Sequence, residues 1–224
     1  MEDKNEVQVE EGSYLNRGYN TLERFVSYYY QIESIIESSP ATVLEVGKGA
    51  AITQGYLRDL GIKVVTCDFD NSTKPDIVAD IRKIPCEASS FDTVVAFQVL
   101  EHIPFADFGK AIDELCRISR KRVIISVPYR SSFFEFVLKV PGMRTMFKRN
   151  FLDFIIRIPL SFKGFETSGQ HYWEIDSDKY KLGIVRKEIL KKCDIVREFS
   201  PALNKFHYFF VLKPKNIETI SKIQ

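Results

Sequence analysis

Val43-Leu44-Glu45-Val46-Gly47-Lys48-Gly49-Ala50-Ala51 is the stretch on which the fold turns. A short apolar run, Thr42–Val46, meets two glycines and then a helix-like segment that stops at Gly61. Glycines at a strand-to-helix turn let the backbone approach a ligand and take conformations that a side chain forbids. A GxG alone is weak, however. A dinucleotide fingerprint requires Gly or Ala at position 52, and Ile52 stands there, although Asp68 lies at the distance expected for a ribose-binding acid.

Outward from that turn, strands and helices alternate. Ile62–Cys67 is β-branched and ends at Asp68; Asp76–Ala79 is short and ends at Asp80. Phe91–Phe97 follows, then a helical pattern of Phe105, Phe108, Ile112 and Leu115, then the apolar run Arg122–Val127, stopped by Pro128. Near-continuous apolar strands separated by helices predict a parallel sheet covered on both faces. Right-handed crossovers make this a Rossmann-like, doubly wound α/β fold with ligands at the carboxyl ends of the strands. Upstream, Leu22, Phe25, Val26, Tyr29, Ile32 and Ile36 keep the 3.6-residue period, with Asn20 and Glu23 as a capping box. Downstream, a helix over Asp178–Lys192 precedes an antiparallel strand pair, Asp194–Phe199 and Phe206–Lys213. The expected sheet is seven-stranded and mostly parallel.

The four motifs in order resemble the class I S-adenosylmethionine-dependent methyltransferases. They are the Glu45-x-Gly47-x-Gly49 turn, Asp68, Asp80-Ile81, and Phe91-Asp92-Thr93-Val94 leading to Gln98-Val99-Leu100-Glu101-His102. The resemblance spans roughly residues 40–128 and implies S-adenosylmethionine as cofactor. It places the Gly47, Lys48 and Gly49 backbone against the methionine portion, with Glu45 orienting the loop. Asp68, with Phe69 beside it, takes the ribose; Asp80 and Ile81 take the adenine, and Gln98 lies along the methionyl side. Taken singly, Asp68 and Asp80 also suit helix capping.

A sulfonium methyl transfer asks the protein for positioning and desolvation, and an oxygen or nitrogen acceptor also needs a base. His171, in Gly169-Gln170-His171-Tyr172-Trp173-Glu174, is the leading candidate, with Glu174 as orienter or alternate base. The competing reading is an aromatic lid whose His171 and Glu174 make helix-entry hydrogen bonds. His102 has three readings: orienting the methionine end, lining the acceptor pocket, or satisfying a backbone carbonyl. His207, between Phe206 and Tyr208, reads as structural. Around His-Tyr-Trp-Glu the chain looks similar to methyltransferases of sugar and cell-surface polymer pathways. That implies a small-molecule acceptor: a sugar, a glycolipid or another hydroxylated metabolite. The alternative is a non-catalytic cofactor-binding or partner-binding module on the same fold.

Composition bounds the rest. The 224 residues suffice for a full core, with 45% hydrophobic and 28% charged residues. A net charge of +2 argues against a chain-wide nucleic-acid scaffold. The acidic residues 1–13 are expected to be flexible, and 14–224 to form a single domain with an insertion at about 130–170. Between Arg130 and Phe165 lie seven basic and two acidic residues, a net +5, and eight of the eighteen phenylalanines. The expectation there is a helical lid; the alternative is contact with a membrane or lipid-linked substrate. Cys67, Cys86, Cys116 and Cys193 have no metal-ligand spacing, so reduced thiols in a cytoplasmic protein are expected, and no metal. Oligomeric state has no signature.

Overall fold

A computed structural model describes residues 20–147, 150–158, 171–177 and 179–215. The acidic segment 1–13 and part of the insertion, with Lys148, Arg149 and 159–170, lie outside them.

The β-branched, apolar runs form parallel strands, of which the inner ones are buried between helices while the short third one lies at the sheet edge. These are β1 (Thr42–Val46), β2 (Lys63–Asp68), β3 (Ile77–Val78), β4 (Phe91–Phe97) and β5 (Ser119–Pro128). With β8 (Cys193–Phe199) and β9 (His207–Pro214) they make a seven-stranded sheet, ordered β3-β2-β1-β4-β5-β9-β8. Pairing is parallel from β3 to β5 and antiparallel on both sides of β9. The predicted terminal pair is therefore present, with β9 wedged between β5 and β8. Chain order reverses between β1 and β4, the point at which such sheets open a ligand crevice.

Helices α1 (Leu22–Glu37), α2 (Ile52–Asp59), α3 (Phe105–Ile118) and α5 (Leu182–Leu190) flank the sheet. Phe108, Ile112, Leu115 and Ile118 of α3 are fully buried with Leu44, Val94, Ile125 and Phe210, the larger of two core clusters. The N-cap of α1 is Thr21, whose hydroxyl accepts from the Arg24 N–H, and not Asn20. Helix α5 starts at Leu182, later than the predicted Asp178.

The cysteine expectation needs a correction. Cys116 on α3 and Cys193 at the start of β8 are joined as a disulfide; only Cys67 and Cys86 are free thiols. Their separation of 77 residues hid the pair, which the packing of α3 on α5, and of α5 on β8, brings together.

The expected helical lid is also corrected. β6 (Ser132–Leu138) and β7 (Leu152–Ile158) form an antiparallel ribbon apart from the main sheet, with only the five-residue α4 (Met143–Phe147) between them. Aromatic and β-branched residues favour this, and the side chains alternate with period 2. On one face Phe134 pairs with Ile156 and Phe136 with Phe154, all four more than half exposed. The other face carries Glu135, Asp153 and Arg157, which fix the arm to the body. Lys205, 2% exposed, bonds Asp153 and lies 3.4 Å from Glu135. Arg157 donates to Ser131 and, at 3.1 Å, to Ser200, and its guanidinium lies 3.8 Å from the Tyr129 ring centroid.

Candidate active site

A cavity of about 210 Å³ opens at the carboxyl ends of β1, β2 and β4. Its lining includes Glu45, Gly47, Lys48, Gly49, Asp68, Phe69, Asp80, Ile81 and Gln98, together with His102. The structure thus brings all nine predicted cofactor residues into one wall.

The glycine turn is shaped by its neighbours. Gly47 has φ +83°, and a Cβ there would clash with the Val99 side chain, so any other residue is strained and must displace Val99. Gly49, Ala51 and Gln98 also have positive φ, at +48°, +61° and +56°. Left-handed Ala and Gln on one cavity wall are backbone strain of the kind that collects at ligand sites.

The acids differ in state. Asp68 is buried; its Oδ2 accepts the Lys48 N–H at 2.9 Å and its Oδ1 the Asp70 N–H at 3.0 Å. The ammonium of Lys48 points elsewhere, donating to the Thr73 and Lys74 carbonyls. Asp80 accepts from the Arg82 backbone N–H and from its guanidinium, which also reaches Asp107 at 2.7 Å. The Arg82 contact holds the Asp80 carboxyl below its usual range. An adenine amino group would therefore share an already well-bonded carboxylate. Glu45 makes no hydrogen bond to the glycine loop; its Oε2 is buried without a partner, and burial pushes its carboxyl up to about 8. Ile81 is buried, while Phe69 is 44% exposed.

Sequence reasoning missed the cover. Arg24, Ser27, Tyr28 and Gln31 of α1 line the same cavity, and so does His207 of β9. His207 Nδ1 lies 2.6 Å from Ser27 Oγ, which also accepts from Asn204, and burial drives the imidazole down to about 3. It is a neutral wall residue, in keeping with the structural reading.

His171 and Glu174 are not cavity-lining residues, yet they lie against its rim. The Tyr172 N–H donates to the Glu101 carbonyl at 2.9 Å and Trp173 Nε1 to the Leu100 carbonyl at 3.1 Å. Trp173 is 1% exposed, packed edge-on to Phe105 and Phe108. The Ile175 N–H bonds the Pro128 carbonyl at the end of β5. These contacts set the His102 and His171 rings 5.0 Å apart, edge to face. His171 Nδ1 lies 2.7 Å from Glu174 Oε1, with Glu174 4% exposed. Ile175 forms a bridge to Tyr129, and α5 begins at Leu182, beyond the segment.

Beneath the two histidines Glu101 is fully buried. In the amide orientation that satisfies both ends, Gln98 donates to Glu101 Oε1 at 3.3 Å and accepts from Ser126 Oγ and the Val127 N–H. Glu101 Oε2 has no partner among the described residues, and burial pushes the carboxyl up to about 8.

Sheet order and the crevice at its switch point define a class I, Rossmann-like methyltransferase fold. Residues 44–127 match the family described as a methyltransferase domain. No curated protein matches it. Among solved structures it is similar to a protein of Pyrococcus horikoshii OT3 (16% identity, 92% of this chain and 100% of the other, TM-score 0.56). It is also similar to magnesium protoporphyrin IX methyltransferase from Synechocystis with bound S-adenosylhomocysteine (15%, 86% and 83%, TM-score 0.55). A third is the N-methyltransferase NodS from Bradyrhizobium japonicum, also with S-adenosylhomocysteine (10%, 88% and 90%, TM-score 0.54). At these identities the likeness is one of fold. No helix among the described residues is long and apolar enough to cross a membrane.

Proposed function

We propose that this chain is an S-adenosylmethionine-dependent methyltransferase acting on a hydroxylated small molecule. The observation that carries the reading is the convergence of Glu45, Gly47–Gly49, Asp68, Phe69, Asp80, Ile81 and Gln98 on one cavity. Two features support the fit of that cofactor. The Gly47 position leaves no room for a Cβ, and the unpartnered Glu45 Oε2 offers an acceptor to a cationic ligand. The bound cofactor supplies an electrophilic methyl group on a sulfonium.

The chain's residues then bind and orient. Asp68 accepts the ribose hydroxyls, Phe69 and Ile81 hold the faces of the adenine, and Asp80 takes its amino group beside Arg82. Gln98 and the Gly47–Gly49 backbone flank the methionyl part, and Glu45 faces its positive charge. The acceptor enters over His102, where the His171–Glu174 pair lies ready to take its proton, Glu174 orienting the ring through Nδ1. Incubation with labelled cofactor and a metabolite extract tests this. A labelled small molecule is the expected result, and cofactor binding with no label transferred supports the non-catalytic module instead.

One observation favours a second element, delivery of the acceptor from an anionic membrane surface. The outer face of the β6–β7 arm is apolar and exposed at Phe134, Phe136, Phe154 and Ile156, and Lys139, Arg144, Met146 and Phe147 are exposed near its tip. The two acids of the β6–β7 arm, Glu135 and Asp153, pair with Lys205, which leaves the outer part of the arm basic. Apolar side chains ringed by cations complement an anionic lipid headgroup layer. Co-sedimentation with phosphatidylserine vesicles, reduced by Lys139→Gln with Arg144→Gln, is the expected outcome. Failure to sediment with those vesicles overturns this element.

A further inference from the structure

Four ionisable side chains meet at the rim of the cavity: Glu101 and His102 after β4, and His171 and Glu174 in the segment docked on them. One potential ligand atom each from Glu101, His102 and His171 lies within 4.8 Å of the others. We infer that Glu101, His102 and His171 form a site for a divalent transition-metal cation that holds the acceptor by two adjacent oxygens. The acceptor role rests on the methyltransferase reading above; the cation site itself does not.

Three observations carry it. First, the donor set is two imidazoles and a carboxylate, which suits manganese, iron, cobalt or zinc better than the all-oxygen shells of calcium or magnesium. Second, Glu101 is 0% exposed, yet its Oε2 lacks a hydrogen-bond partner among the described residues. A native fold rarely leaves such an atom unsatisfied, and a cation is the partner that the surrounding imidazoles imply. Third, Glu174 Oε1 sits 2.7 Å from His171 Nδ1, the carboxylate–histidine pairing that fixes ring orientation and leaves Nε2 for a metal.

Charge points the same way. Glu101 and Glu174 are both buried, and no Lys or Arg forms a salt bridge with either among the described residues. Metal–ligand bonds of about 2.0–2.2 Å require ligand atoms roughly 3 Å apart, so the three close by about 1–2 Å on binding. His102 and His171 are only partly buried, which leaves room for that rotation.

Three protein ligands leave open positions, as in catalytic sites. A vicinal diol or a hydroxy-carbonyl acceptor fills two of them. Coordination lowers the hydroxyl pKa, and its proton leaves to water. The oxygen lone pair forms the new C–O bond as the C–S bond breaks, and the bonding pair returns to sulfur as a thioether. In this arrangement the histidines are ligands, and the metal replaces His171 as the agent of deprotonation.

The test is titration of the metal-stripped full chain with cobalt(II), read by visible d–d absorption, alongside calorimetry with S-adenosylhomocysteine. One cobalt per chain, displaced by zinc, is expected. His171→Ala and Glu101→Gln should abolish the bands, and Glu174→Gln should weaken binding about 10–100-fold. Circular dichroism checks that each variant folds, and His171→Asn stands in if the alanine variant does not. Absence of d–d bands while S-adenosylhomocysteine still binds overturns the metal site alone, as do bands unchanged by His171→Ala. Cobalt binding without S-adenosylhomocysteine binding keeps the metal site and overturns the methyltransferase reading.

Discussion

The backbone N–H of Tyr172 donates to the carbonyl of Glu101 at 2.9 Å, stitching the segment after the insertion onto the turn after β4. With Trp173 buried over Leu100, this contact sets His171 beside His102 at the cavity rim. The histidine pair at the rim is therefore built from two distant stretches of chain.

At the glycine turn, Gly47→Ala places a Cβ against Val99 in a left-handed conformation. Destabilisation of about 1–3 kcal/mol is expected from overpacking, read by denaturant unfolding. S-adenosylhomocysteine affinity should fall at least tenfold in the variant that still folds.

Glu45 gives a pH signature. Its folded pKa, about 8, lies above the unfolded value of 4.5, so its stabilising contribution is present below pH 4.5 and is lost as pH rises towards 8. Glu45→Gln should raise the melting temperature more at pH 8 than at pH 5, and weaken cofactor binding. An equal rise at both pH values would contradict the buried, unpaired carboxyl.

His207 works in the opposite sense. Its folded pKa, about 3, is below the unfolded value of 6.5, so the neutral buried ring contributes stability above pH 6.5 that is lost as pH falls towards 3. His207→Gln should flatten the stability profile between pH 6.5 and 5. A mutant profile parallel to wild type there would show that His207 does not titrate as described.

Lys205 pins the arm. Lys205→Met leaves the partly exposed Glu135 and Asp153 without their ammonium, at a cost of about 1–3 kcal/mol. Because the arm is a separate ribbon, faster amide exchange should be concentrated in 132–138 and 152–158, with β1 and β4 unchanged.

The core was legible because strand burial leaves one kind of sequence: Thr42–Val46 and Phe91–Phe97 were bounded to the residue by apolar run and flanking polarity. The cavity lining from Glu45 to Gln98 was legible because a tight strand-to-helix turn demands glycine, and strand ends present their acids to one crevice. The arm was misread because its phenylalanines were tallied as composition. The alternation Phe134-x-Phe136-x-Leu138 signals a ribbon, and the apolar Phe133, Val137 and Ile155 among the charged residues of the other face blurred it. The α1 cover left no trace, since its buried face carries the polar Ser27 and Gln31, while the apolar Leu22, Phe25, Tyr29 and Ile36 of the predicted stripe are exposed. Nor could the Asp80–Arg82 contact be read from spacing, because it depends on the turn after β3.

The central claim is that the crevice above β1, β2 and β4 binds S-adenosylmethionine through Asp68. Isothermal calorimetry with S-adenosylhomocysteine on the wild-type chain and on Asp68→Ala measures it directly. The account predicts one site per chain in the wild type and at least a tenfold loss of affinity in a folded Asp68→Ala. No binding by the wild type, or equal affinity in the two proteins, would contradict it.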